Sequence, residues 1–137
     1  MRTWLRRNIL PSIDEIRDNL SFLSDKGVVL FGSYASGKAG PQSDIDVAIV
    51  TRLDDRKEMM QIRIEAAGKA PDYYDIQVFE ALLLILQGAI IENFVVLIGD
   101  PLEIGMYFYH IRKIWDDYRH RIEVPTIDEI RKGIAES

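Results

Sequence analysis

Apolar and polar positions along this chain change their period several times, and each change marks an element. Behind Ser12, with Glu15 three residues on as in a capping box, Ile13, Ile16, Leu20 and Leu23 recur at helical spacing until Gly27 ends the pattern. Val28-Val29-Leu30-Phe31 is a continuous apolar run stopped by Gly32, as expected of a strand in the middle of a sheet. Residues 33–43 are small and rich in breakers, which predicts a loop with at most one short helical turn. From Asp44 to Val50 the period falls to two: Ile45, Val47 and Ile49 share one face of a second strand, and Asp44 and Asp46 share the other.

Residues 54–70 read as a charged amphipathic helix with Met60, Ile64 and Ala67 on its apolar stripe, and residues 74–79 as a third strand after Pro71. A buried helix is predicted over residues 81–91. Residues 94–98 are a short strand, or equally the end of an irregular connection, closed by Gly99-Asp100-Pro101. Beyond them Ile104, Phe108, Ile111, Trp115, Tyr118 and Ile122 step by four, three, four, three and four, the stripe of a long packed helix. The start Pro11-Ser12-Ile13-Asp14-Glu15-Ile16-Arg17 nearly returns as Pro125-Thr126-Ile127-Asp128-Glu129-Ile130-Arg131. Both are good helix beginnings with a capping hydroxyl and early acids, so shared capping physics accounts for the echo without a repeat architecture.

With 137 residues, 47% of them hydrophobic, the chain has enough apolar material for one compact α/β domain and too little for two. A single unit over residues 1–137 is expected, with C-terminal helices over 101–137. The longest apolar run, residues 81–86, ends at Gln87-Gly88, far short of the roughly 20 residues that cross a bilayer. Residues 1–7 carry charge without the apolar stretch of a secretory signal, and with no cysteine there is no disulfide framework, so a cytoplasmic location and no membrane partner are expected. A net charge of -5 offers no general footprint for long nucleic acids.

The chemistry concentrates in one stretch: a strand ending at Gly32-Ser33, ten residues, then Asp44-Ile45-Asp46 on a second strand. Gly32 lets the backbone approach a phosphate closely, and the Ser33 hydroxyl and loop amides can donate to its oxygens. Lys38 is either a further phosphate contact or an ordinary loop cation. Carboxylates at i and i+2 of a strand point the same way ~6.5 Å apart, which suits hard cations spaced about 4 Å from each other. Mg²⁺ is the expected ion, two per site, because the chain supplies carboxylates with no cysteine and only two histidines, His110 and His120, neither of which is assigned a role. Asp75 shares a strand face with Gln77, opposite Tyr74, Ile76 and Val78, and is the candidate third carboxylate and proton acceptor; Asp72 competes if that strand starts early.

Gly32-Ser33, Gly37, Ser43-Asp44-Ile45-Asp46-Val47 and the later Asp75 resemble the signature of the minimal nucleotidyltransferase family, of the polymerase-β type, over roughly residues 12–122. The resemblance implies a small mixed sheet flanked by helices, ATP or another nucleoside triphosphate as substrate, Mg²⁺, and transfer of a nucleoside monophosphate. It also implies a partner, since such chains are commonly antitoxins of a HEPN-type ribonuclease toxin, some of which place AMP on a toxin tyrosine. Many members have an arginine just before the second loop glycine, where this chain has Ser36, with Lys38 nearby to supply positive charge. The expected activity is therefore AMP transfer to a hydroxyl, most naturally a toxin tyrosine. Two alternatives stand beside it: a binding-only antitoxin that occludes its partner, and nucleotidylation of a small molecule. Acceptor, base preference, number of transfers and any oligomeric assembly are left open.

Overall fold

The computed structural model describes residues 10–40 and 43–121. Residues 1–7, Ile122 and the second helix start at 125–131 therefore lie outside the described residues. Among the described residues the α-helices and strands follow in the order α1 (Ile13–Asn19), β1 (Gly27–Phe31), α2 (Ser33–Ser36), β2 (Ile45–Val50), α3 (Arg56–Lys69), β3 (Tyr74–Val78), α4 (Leu84–Glu92), β4 (Val95–Ile98) and α5 (Pro101–Arg121). The strands form one sheet in the order β3-β2-β1-β4. β1 is antiparallel to both of its neighbours, whereas β2 and β3 run parallel, so the sheet is mixed.

Both faces of the sheet are covered, which is why the two central strands are apolar on both sides. Val28, Leu30, Ile45, Val47 and Ile76 pack against Ile16 of α1, Leu20 at its C-terminal end and Ala66 of α3. On the opposite face Val29, Ala48 and Val50 meet Ile90 and Ile91 of α4 and Ile104 and Phe108 of α5. β2 is buried along its length except at Asp46, which is only half-buried. A carboxylate at that place interrupts an otherwise continuous core strand.

Local chemistry sets the element ends. The Ser12 side chain accepts from the Glu15 amide at 3.1 Å and begins α1, as the capping box predicts. Asp55 caps α3 by accepting from the amides of Lys57 at 2.8 Å and Glu58 at 3.2 Å, so that helix starts at Arg56. Residues 79–81 form a 3₁₀ turn, and α4 consequently begins three residues later than the apolar run suggests. Residues 95–98 are a strand, antiparallel to β1, and α5 buries Ile104, Phe108 and Trp115 as its stripe requires, although Tyr118 is 45% exposed.

The stripe expected on α3 is overturned. Met59 and Ala66 are buried, while Met60 and Ile64 are 52% and 59% exposed and Ala67 is exposed too. Two apolar rows at helical spacing lie side by side on this helix, and tertiary contacts choose between them. The Arg63 Nε donates to the Ile76 carbonyl at 3.0 Å, tying the helix to β3 in the rotation that turns Met59 and Ala66 inward.

Candidate active site

Strand register assembles the candidate site. Phe31 of β1 pairs with Asp46 of β2, and Asp46 in turn pairs with Asp75 of β3. Neighbouring strands lie about 4.8 Å apart and in-register side chains share a face, so the two carboxylates stand side by side. The next row on that face is Val29, Ala48 and Gln77. Asp75 and Gln77 thus project together as their phasing predicts, and the Gln77 Nε2 donates to Asp75 Oδ1 at 3.0 Å.

A cavity of about 820 Å³ opens over this row. Gly32, Ser36 and Lys38 wall it on the loop side, Asp46 and Asp75 on the sheet, and Leu82, Leu86 and Ile90 on the helix side. The loop and sheet side is mostly charged and polar, and the helix side is apolar but for Asn93. That division suits a molecule with an anionic part and a flat or aliphatic part.

The loop is held by backbone geometry open to glycine. Gly32 has φ 72° and ψ -150°, and a Cβ there would collide with the Asp46 carboxylate, with Asp46 Cγ at 3.2 Å and Cβ at 3.3 Å. The chain leaving β1 therefore passes directly over Asp46. One helical turn, α2, follows; Gly37 ends it in the left-handed conformation at φ 76°, and the Lys38 amide donates to the Ser33 carbonyl at 2.9 Å. The Ser36 hydroxyl donates back to the same carbonyl at 3.2 Å.

Of the residues singled out from the sequence, Gly32, Lys38, Asp46 and Asp75 line this cavity. Ser33, the first residue of α2, and Asp44, just ahead of β2 and half-buried, are not on its wall. Asp72 precedes β3, which starts at Tyr74, so Asp75 is the carboxylate within the strand. Among the described residues no three or more Asp, Glu, His or Cys side chains are grouped closely enough to form a metal site by themselves. A pair of carboxylates nevertheless fits Mg²⁺, which keeps water and substrate phosphate oxygens in its shell instead of demanding an all-protein cage. Sequence reasoning missed the apolar wall from Leu82 to Ile90 and the contact of Gln77 with Asp75. The in-phase position of Gln77 was a visible signal; the wall was not, because only the return of α4 over the sheet creates it.

Comparison with known proteins agrees with this fold. The profile of the nucleotidyltransferase domain matches residues 13–97. A Methanocaldococcus jannaschii protein named a putative protein adenylyltransferase is 38% identical over 108 residues, which span 79% of this chain and 84% of that protein. A chain of a toxin–antitoxin crystal structure with AMP-PNP superposes with a TM-score of 0.60 at 17% identity, covering 77% of this chain and 90% of that one. A chain from the structure of a tri-AMPylated Shewanella oneidensis HEPN toxin with its MNT antitoxin gives a TM-score of 0.54 at 15% identity, over 80% of this chain and 87% of that one. At those identities the structural likeness speaks for the fold. Among the described residues no helix is long and apolar enough to cross a membrane.

Proposed function

Because the chain belongs to the nucleotidyltransferase domain family, we propose that it transfers AMP from Mg²⁺-bound ATP to a hydroxyl of a partner protein, a tyrosine of a HEPN-type toxin, and acts as the antitoxin. The observation that carries the reading is the register pair Asp46 and Asp75 on the floor of a cavity whose rim holds Gly32 and Lys38. The named relative and the toxin–antitoxin neighbours support the acceptor being a protein of that kind.

In this reading the hydroxyl oxygen of the acceptor attacks the α-phosphorus in line. A new P–O bond forms as the bond to the β-phosphate oxygen breaks, and pyrophosphate leaves with that electron pair. The Asp75 carboxylate takes the hydroxyl proton. Asp46 and Asp75 would hold the Mg²⁺ ions, with Asp44, two residues ahead of Asp46 and off the cavity wall, as the further carboxylate. When bound, the ions supply charge neutralisation on the phosphates and acidify the attacking hydroxyl. Gly32 brings the backbone against the triphosphate, the Ser33 hydroxyl and nearby amides donate to it, and Lys38 supplies the cationic contact that Ser36 does not.

The test is incubation of the protein with Mg²⁺ and α-labelled ATP, with and without its HEPN-type partner, alongside Asp46→Asn. Label on the partner that disappears in the variant is the expected result. Neutralisation of the toxin without any label, and retained by Asp46→Asn, would replace transfer with occlusion.

A further inference from the structure

A second depression, of about 540 Å³, lies between α3 and residues 79–83, and it shares Gln77 and Leu82 with the cavity over Asp46 and Asp75. The two therefore adjoin at Gln77 and Leu82, beside the outer strand β3, and together extend the groove that begins at the carboxylates. Its wall carries Met60, on the apolar row that α3 turns away from the core, and Leu83, 68% exposed just before α4. A triphosphate would fill the charged end of the cavity and has no use for apolar side chains this far along.

The charges on the wall are unequally engaged. Glu80 already accepts from the Thr51 amide and hydroxyl and from the Tyr107 hydroxyl, each at 2.9 Å. Asp54 is the other carboxylate. Arg63 uses its Nε on the Ile76 carbonyl, and Arg56 has no hydrogen-bond or ion-pair partner among the described residues. An incoming carboxylate would find a guanidinium there at little desolvation cost, and an incoming apolar side chain would cover Met60 and Leu83.

We propose that this groove, entered at Gln77 and Leu82 and lined by Arg56, Met60 and Leu83, seats the acceptor polypeptide beside its modified hydroxyl and selects a segment bearing an apolar side chain and a carboxylate. The inference rests on the reading that the acceptor is a protein. It adds where that protein is gripped and by what chemistry. Recognition at a distance from the reacting atoms raises the local concentration of the hydroxyl and leaves the ATP subsite untouched.

Steady-state transfer of label to the HEPN-type partner tests it, with Arg56→Glu, Met60→Asp and Leu83→Asp compared with wild type. All three replacements are at the surface, and Leu83→Asp places a favoured capping residue at the N-cap of α4, so the fold should survive. The expected result is a rise of tenfold or more in KM for the partner, with KM for ATP within twofold of wild type. Unchanged partner KM in all three variants, or a loss confined to kcat or to ATP affinity, would overturn the groove alone. A wild-type chain that labels no partner would instead sink the protein-acceptor reading, and the groove with it.

Discussion

Asp46 on β2 and Asp75 on β3 are register partners in a parallel strand pair, the one such pair among the described residues. Parallel pairing matters here, because it brings the start of β2 and the start of β3 to the same end of the sheet, uncovered by the helices that bury Ala48 and Val50 farther along. Replacing either carboxylate by its amide keeps the shape and removes the charge that would hold Mg²⁺. Asp46→Asn and Asp75→Asn should each lower the transfer rate by roughly a hundredfold or more, the scale for loss of a preorganised electrostatic group. Single-turnover kinetics with α-labelled ATP check this, and a variant within about threefold of wild type would remove that residue from the chemistry.

Gly32 couples the loop to the same carboxylate. Gly32→Ala must either distort a backbone at φ 72° or push Asp46 aside, because the new Cβ meets that side chain. Strain of this kind costs about 1–3 kcal/mol. Urea unfolding should show a loss of that order, together with weakened ATP binding by calorimetry. A stable variant with normal ATP affinity would show that the loop does not need its close approach.

Lys38 is the cation on the cavity wall, and in the proposed reading it supplies the positive charge that Ser36 does not. A charge-assisted hydrogen bond contributes about 1.5–3 kcal/mol, so Lys38→Ala should raise KM for ATP by roughly tenfold or more. Lys38→Arg should recover most of the loss. An unaltered KM in Lys38→Ala would return this residue to the solvated loop.

What was legible in the sequence follows from where the information is local. Alternation placed Asp44 and Asp46 opposite Ile45 and Val47, and put Asp75 in phase with Gln77, because the strand period is set by the backbone alone. That Asp46 and Asp75 share a rung is a property of the pairing between strands, which no single stretch encodes. Helix α5 has one apolar stripe and was readable; α3 has two, and the bond from Arg63 to Ile76 helps decide which faces the sheet. The cavity wall at Leu82, Leu86 and Ile90 was hidden for the same reason, since an apolar run announces burial without saying against what.

Where α4 crosses α5, Gly88 packs on the Trp115 indole so closely that a Cβ would lie 2.8 Å from its ring carbon. Alanine in a helix interior ordinarily gains about 1 kcal/mol over glycine. Overpacking a core costs about 1–3 kcal/mol, and the flat ring has little room to yield, so Gly88→Ala should be net destabilising. Thermal unfolding and a shift in Trp115 fluorescence read the outcome. A raised melting temperature would mean that the indole moves aside freely.

The Tyr107 hydroxyl donates to Glu80 at 2.9 Å, linking α5 to the turn after β3. Its pKa is raised, chiefly by burial, then by that hydrogen bond and by the Glu80 charge, with the Arg52 charge opposing. A raised pKa means that the folded chain keeps the phenol proton at pH values where the unfolded chain releases it. The associated stability is complete below the ordinary tyrosine value of about 10 and is lost as pH rises above it. Tyr107→Phe removes both the hydrogen bond and this dependence. At pH 8 it should cost about 0.5–1.5 kcal/mol, and the gap between the two proteins should narrow from pH 9.5 to pH 11. Urea midpoints across that range measure it; a gap that stays constant with pH would mean that the phenol titrates alike in the folded and unfolded chains.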